Sequence, residues 1–129
     1  MTRLSFDDGE AYTFLDGLVN KKLSKRVSNV VLNPALKTES NKTKRVDTQT
    51  YIFFKCPACN KKWKSGFGHV QVFFKFKRNE NSVSFNTVKS DQQCRACGVD
   101  ALPTATKVDL QGVAERLCAK VLTSLGHEV

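Results

Sequence analysis

Long apolar runs are missing from this 129-residue chain. The longest, such as Tyr51 to Phe54, span three or four residues. A membrane-crossing helix needs roughly 18 apolar residues in a row, so no membrane span is expected. Near the N-terminus, Asp7 and Asp8 stand where a secretory leader would carry its apolar stretch. The closing Gly-His-Glu-Val matches no prenylation or retention signal. Histidine occurs only twice, and neither His69 nor His127 has a glutamate two residues on, which removes the zinc-deaminase signature. No His-Glu-x-x-His, phosphate loop or Ser/His/Asp set can be read either. No low-complexity tract occurs, and nothing repeats except two cysteine pairs.

What is present suits one folded domain spanning 1–129. Apolar residues make up 40% and charged residues 26%, ordinary values for a soluble globular protein. The net charge of +9 is unevenly laid out. Residues 1–20 hold one base against four acids, residues 21–64 twelve bases against two acids, and residues 65–129 eight against six. One segment, 21–64, therefore carries the excess. A surface that is merely solvated has no reason to concentrate it so.

Hydrophobic periodicity predicts an α+β fold: a small antiparallel sheet with two metal-binding knuckles at strand ends, flanked by an N-terminal and a C-terminal helix. The first helix is expected at about 8–24, capped by Asp7 with Glu10 as capping-box partner, and with Ala11, Phe14, Leu15, Leu18 and Leu23 as its apolar stripe. Residues 33–48 read as a basic loop carrying Lys42, Lys44 and Arg45. A β core over about 48–98 follows. It comprises a strand at 48–55 and a hairpin of 69–77 with 82–89 around a turn at Asn79-Glu80-Asn81. On the first hairpin strand Val70, Val72, Phe74 and Phe76 share a face. Val88 is out of phase with Val83 and Phe85, which predicts a bulge or break nearby. The second helix is expected at about 109–125, after a loop holding Pro103, with Asp109 as cap and Gly126 as stop. Leu110, Val113, Ala114, Leu117, Val121 and Leu125 make its apolar face, and Cys118 falls among them.

Four of the five cysteines form Cys56-Pro57-Ala58-Cys59 and Cys94-Arg95-Ala96-Cys97. Two intervening residues let both sulfurs of a pair reach one ion from a tight turn. Four thiolates at about 2.3 Å make a closed tetrahedral zinc shell. Asn60 and Gly98, which follow the pairs, are residue types that adopt positive φ readily, as a knuckle turning back on itself requires. One structural Zn²⁺ on Cys56, Cys59, Cys94 and Cys97 is the expected cofactor. A redox role is the main alternative, but a thioredoxin-like pair opens a helix, and here each pair follows a strand-like run. A shell of four thiolates leaves no position for a reacting water, so no enzyme is expected. Cysteines kept for metal suit a reducing, cytoplasmic setting. Trp63 is expected to pack beside the first knuckle, and His69 to be a surface residue at a strand edge.

Phe54-Lys55-Cys56-Pro57-Ala58-Cys59, then Trp63 and Ser65, Val70-Gln71-Val72, and Gln93-Cys94-Arg95-Ala96-Cys97 resemble the 3CxxC-type zinc-finger family. Within it the chain looks most like the core domain of receptor-transporting proteins. That resemblance implies zinc on the four paired cysteines, no catalysis, and a protein-binding adaptor or chaperone role in carrying seven-helix receptors to the cell surface. It also implies an alternative, since other relatives bind RNA and some receptor-transporting proteins are linked to antiviral defence. The chain departs from the pattern in lacking a third Cys-x-x-Cys, with Cys118 alone, and in lacking a hydrophobic anchor.

Two partners therefore stand side by side: a protein, including a membrane receptor, or RNA or another single-stranded nucleic acid bound through the basic segment 21–64. Lys42, Lys44, Arg45, Lys61, Lys62, Trp63 and Lys64 are the candidate contacts for either, with Tyr51 and Phe73 as further aromatics among the lysines. No small-molecule substrate is expected.

Overall fold

Two helices lie on one face of a six-stranded sheet in the computed structural model, which describes residues 2–126. The strands are β1 (Arg3–Ser5), β2 (Asn29–Leu32), β3 (Lys44–Lys55), β4 (Lys62–Lys77), β5 (Ser82–Lys89) and β6 (Leu102–Thr106). The helices are α1 (Glu10–Leu23) and α2 (Lys107–Ser124). Across the sheet the order is β1-β6-β3-β4-β5-β2, antiparallel throughout except for the parallel pair β2 and β5. The fold is α+β, as expected.

Both helices form because apolar residues recur at helical spacing. Ala11, Leu15, Val19 and Leu23 of α1 are buried, as are Leu110, Val113, Ala114, Leu117, Cys118, Val121 and Leu122 of α2. They close on Val70, Val72 and Phe74 of β4, Val83 and Phe85 of β5 and Ala105 of β6 in one core. A buried side chain of this kind stabilises by about 1.5–3 kcal/mol, so this layer of contacts holds the sheet and helices together. The caps differ from expectation. Gly9, with φ 87°, precedes α1 and no side chain caps it, while the Asp8 carboxylate accepts from the Glu10 N–H. The Thr106 hydroxyl accepts from the Asp109 N–H, so Thr106 is the cap of α2 and Asp109 sits inside the first turn. Gly126, with φ 83°, ends α2 as expected.

The sheet is larger than the sequence implies. β3 begins at Lys44, so the expected loop at 33–48 is five residues too long and Lys44, Arg45 and Asp47 lie on a strand. β1, β2 and β6 were not expected. Pro103 lies within β6 rather than in a loop, where its carbonyl accepts from the Phe6 N–H. The β4–β5 hairpin has the expected β5 and the expected end of β4, but β4 starts at Lys62 rather than at 69, and the chain turns through a 3₁₀ turn (Arg78–Glu80) and Asn81, with φ 46°. Its register runs unbroken from Val70↔Lys89 to Lys77↔Ser82, so no bulge accompanies Val88. Val88 simply faces away from the helices, while Thr87 takes the buried phase and donates to the Asp16 carboxylate of α1 at 2.5 Å.

The bulge lies instead between β3 and β4. Thr50 pairs with Gly68 and Ile52 with Ser65, which leaves Gly66 and Phe67 opposite Tyr51 alone. The extra residue switches the phase of β4. Val70, Val72 and Phe74 face the helices beyond the bulge, and Trp63 and Ser65 do so before it. A Cβ on Gly68 would lie 2.5 Å from the Ile52 side chain and 3.0 Å from the Thr50 carbonyl oxygen, so the crossing admits only glycine. At this end Ile52, Phe54 and Ala101 form a second, smaller core with Trp63 packed against it.

Candidate metal centre

β3 ends at Lys55 and delivers Cys56 directly into a tight turn. The Asn60 N–H donates to the Cys56 carbonyl at 2.9 Å, and the Cys56 N–H to the Lys61 carbonyl at 2.8 Å. The second knuckle repeats this pattern. The Gly98 N–H donates to the Cys94 carbonyl at 2.7 Å, and the Cys94 N–H to the Val99 carbonyl at 2.9 Å. Asn60 has φ 62° and Gly98 φ 69°, the left-handed turn the sequence calls for. In each knuckle the first cysteine is buried and the second exposed.

The four thiols meet. Their sulfurs all lie within 4.8 Å of one another, and Cys59 Sγ is 3.8 Å from Cys94 Sγ. A tetrahedron with zinc–sulfur bonds of about 2.3 Å separates its sulfurs by about 3.8 Å. Four thiolates are a donor set that zinc prefers, so the residues fit one zinc ion. Thiol acidity points the same way. The backbone N–H of Cys59, then that of Ala58, lowers the Cys56 thiol to about 7 against the cost of desolvation. Hydrogen bonds with Cys59 and Cys56 raise that of Cys97 to about 12. Four neighbouring thiols resist ionising together unless a dication shares their charge.

Side chains buttress the site. Trp63 stacks on Phe54 with ring centroids 5.6 Å apart. Its indole N–H donates to Gln92 Oε1 at 3.2 Å, and Gln92 Nε2 donates to the Ser65 hydroxyl at 3.2 Å. Trp63 thus packs beside the knuckles, as expected. Cys118 is remote from the cluster and buried between the helices, its thiol 3.8 Å from the Val19 carbonyl and pushed up to about 12 by burial. His69 is exposed and outside the cluster. It pairs with Gln49 of β3 and has no ladder partner on its other side, since the β5 pairing starts at Val70, so it is the strand-edge surface residue expected. His127 lies outside the described residues.

Two knuckles closing on one tetrahedral set define a zinc-binding domain of the ribbon type, a class whose sites are typically structural. The chain belongs to the 3CxxC zinc-ribbon family, whose profile, described as a zinc-binding domain, matches residues 49–128. No curated protein and no solved structure matches the chain. Among the described residues, no helix is long and apolar enough to cross a membrane.

The remaining candidate residues separate into two groups. Lys61, Lys62, Trp63 and Lys64 gather at the zinc end. Lys42 and Lys44 lie at the far end of β3, about 35 Å away by strand rise, lining a cleft with Lys75, Lys77 and Arg78. Arg45 is engaged with Glu39 and Asp47, each at 3.3 Å. Phe73 is 5% exposed, beside Asn86, whose amide holds the Pro34 and Leu36 carbonyls of the preceding loop, so Phe73 offers no free ring.

On the face of the sheet away from the helices, Arg3, Phe53 and Lys55, which sequence reasoning passed over, join Tyr51, Lys62 and Lys64, as does Phe67 at the bulge. Lys64 Nζ lies 4.2 Å from the Tyr51 ring centroid and 5.4 Å from that of Phe53. The Arg3 guanidinium lies 4.4 Å from Phe53. Lys55 and Lys62 are paired beside them. Phe67, at the bulge, is 73% exposed. The alternation of Tyr51 and Phe53 against Ile52 and Phe54 was the available signal, since both phases of that strand are aromatic.

Proposed function

We propose that the chain is a non-catalytic, zinc-stabilised module that binds single-stranded nucleic acid, RNA foremost, on the helix-free face of its sheet. One observation carries this reading: Tyr51 and Phe53 lie among Arg3, Lys55, Lys62 and Lys64 on an open face. Of the three ion pairs found among the described residues, none uses these bases. Aromatic faces flanked by unpaired cations are what a single strand needs, because bases stack on the rings while phosphates meet the charges. Four thiolates and one Zn²⁺ carry −2, which lowers the net +9 to about +7 and leaves the surface basic. With its shell filled, the metal serves folding and leaves no position for a substrate.

A second reading, the receptor-trafficking adaptor, has its own observation. Val31 and Leu32 are exposed on β2, the outermost strand, where a partner segment can add to the sheet. Either activity suits a cytoplasmic protein, and antiviral action would follow from the first.

Anisotropy of a short fluorescent single-stranded RNA, titrated with zinc-loaded protein over a range of salt, tests the choice. Affinity should fall steeply with salt, by a slope of about −0.7 per phosphate contacted. Lys61, Lys62 and Lys64→Glu together should abolish binding, and Lys25→Glu with Arg26→Glu, at the end of α1, should leave it nearly unchanged. No binding at low salt, or equal loss in both sets, overturns the nucleic-acid reading in favour of the adaptor.

A further inference from the structure

β4 has an unshared edge at the zinc end. Its pairing with β5 stops at Val70, so residues 62–69 have a strand neighbour only on the β3 side. The chain after β5 stays near this edge without laddering to it. The Ser90 N–H donates to the His69 carbonyl at 2.9 Å, and beyond that Gln92 makes the link through its side chain. The gap is a cleft of about 700 Å³, lined by Lys61, Trp63, Lys64, Phe67, Gln92 and Arg95 among others. That volume falls within the range of small-ligand sites, roughly 300–1,000 Å³.

Three features give the cleft its chemistry. First, the bulge between Gly66 and Gly68 projects Phe67 outward, with 73% of the residue exposed. A lone phenylalanine so bare forgoes burial worth having elsewhere, yet presents a flat π-face. Second, Lys61, Lys64 and Arg95 line the cleft, no carboxylate does, and none of the three is in an ion pair. Third, the cleft is braced. Trp63, Gln92 and Ser65 satisfy one another in a chain, so the wall holds its shape without a ligand.

We propose that this cleft seats one unpaired nucleotide of the bound strand, its base stacked on Phe67 and its flanking phosphates on Lys61, Lys64 and Arg95. The inference rests on the nucleic-acid reading and adds to it where a base is taken out of the strand. A duplex keeps its bases stacked on one another and has none to offer Phe67. An acidic peptide would satisfy the cations but leave the ring bare.

The test compares a ten-nucleotide mixed-sequence RNA with an abasic strand of equal length, binding the zinc-loaded wild type, Phe67→Ala and Phe67→Tyr. Trp63, the single tryptophan, reports on the cleft itself. RNA should quench Trp63. Phe67→Ala should weaken RNA binding by about tenfold, within the range measured for one stacked base, and should leave both the salt slope and the melting temperature unchanged. Phe67→Tyr should restore binding, and the abasic strand should bind wild type and Phe67→Ala alike. Arg95→Gln should instead lower the salt slope by about 0.7. If wild type binds RNA and Phe67→Ala binds it equally well, the cleft assignment falls and the broader reading stands; if the abasic strand binds as tightly as RNA, stacking falls both at Phe67 and at Tyr51 and Phe53. If RNA does not bind at low salt, both fall, and quenching of Trp63 by oligoglutamate would reassign the cleft to an acidic peptide.

Discussion

Cys94 and Cys118 are both buried thiols, yet the fold uses them in opposite ways. Cys94 needs to ionise, and Cys118 is held from doing so. Replacing Cys56 or Cys94 by serine should abolish stoichiometric zinc binding and lower the melting temperature sharply. Zinc binding at such sites is worth of order 10 kcal/mol and is folding energy. Cys118→Ser should keep its zinc and melt only slightly lower, and equal melting of all three variants and the parent would overturn the metal assignment. Cys118 also sets an alkaline dependence. Below its ordinary value near 9 the thiol is protonated in both folded and unfolded chains and stability is indifferent to it. As pH rises from there toward about 12 the unfolded thiol ionises while the folded one does not, so stability is lost. Urea midpoints of wild type and Cys118→Ser should therefore converge as pH is raised through that window. At this scale the sequence was most informative. Both knuckles are local, each turn needs only its own six residues, and Asn60 and Gly98 announce the backbone they adopt. Phe67 was not legible, because its exposure depends on a register shift between β3 and β4 that composition and alternation within either strand alone do not show.

Elements were readable in proportion to their length. α1 and α2 show through because an apolar stripe over 14 or 18 residues leaves little choice of period. β1, β2 and β6 are three to five residues long, too short for alternation to register, and β6 contains a proline. The start of β3 was hidden by Lys44, Arg45 and Asp47, polar residues at the end of the strand that read as loop. Val88 shows a related limit: its phase suggests a bulge, yet the hairpin is regular, and the bulge falls where Gly66 and Gly68 flank Phe67. Gly68→Ala tests that bulge directly. Its methyl meets Ile52 and the Thr50 carbonyl, so the strands must part. We expect a loss of about 1–3 kcal/mol in denaturant unfolding, and a loss near zero would mean that the crossing is looser than the structure shows.

For the whole molecule, the two cores are unequal and divide the work. The larger is assembled from both helices and β4 to β6, and the smaller, around Ile52, Phe54, Ala101 and Trp63, sits at the zinc end. Chelating zinc at neutral pH should therefore alter Trp63 emission first while far-ultraviolet helix signal persists. Acid should do the same, since protons compete for the thiolates as pH falls. Simultaneous loss of both signals would show the two ends to be one cooperative unit. The sheet order has a further consequence for how the chain is made. β1 pairs with β6 at one edge and β2 with β5 near the other, so α1 straps across the sheet between them. On the ribosome, residues 3–32 emerge first yet have no strand partners until residues 82–106 follow them out. A chain cut between Thr38 and Lys42 would divide into a strap and a piece holding every zinc ligand, and the two fragments, mixed, should find each other again.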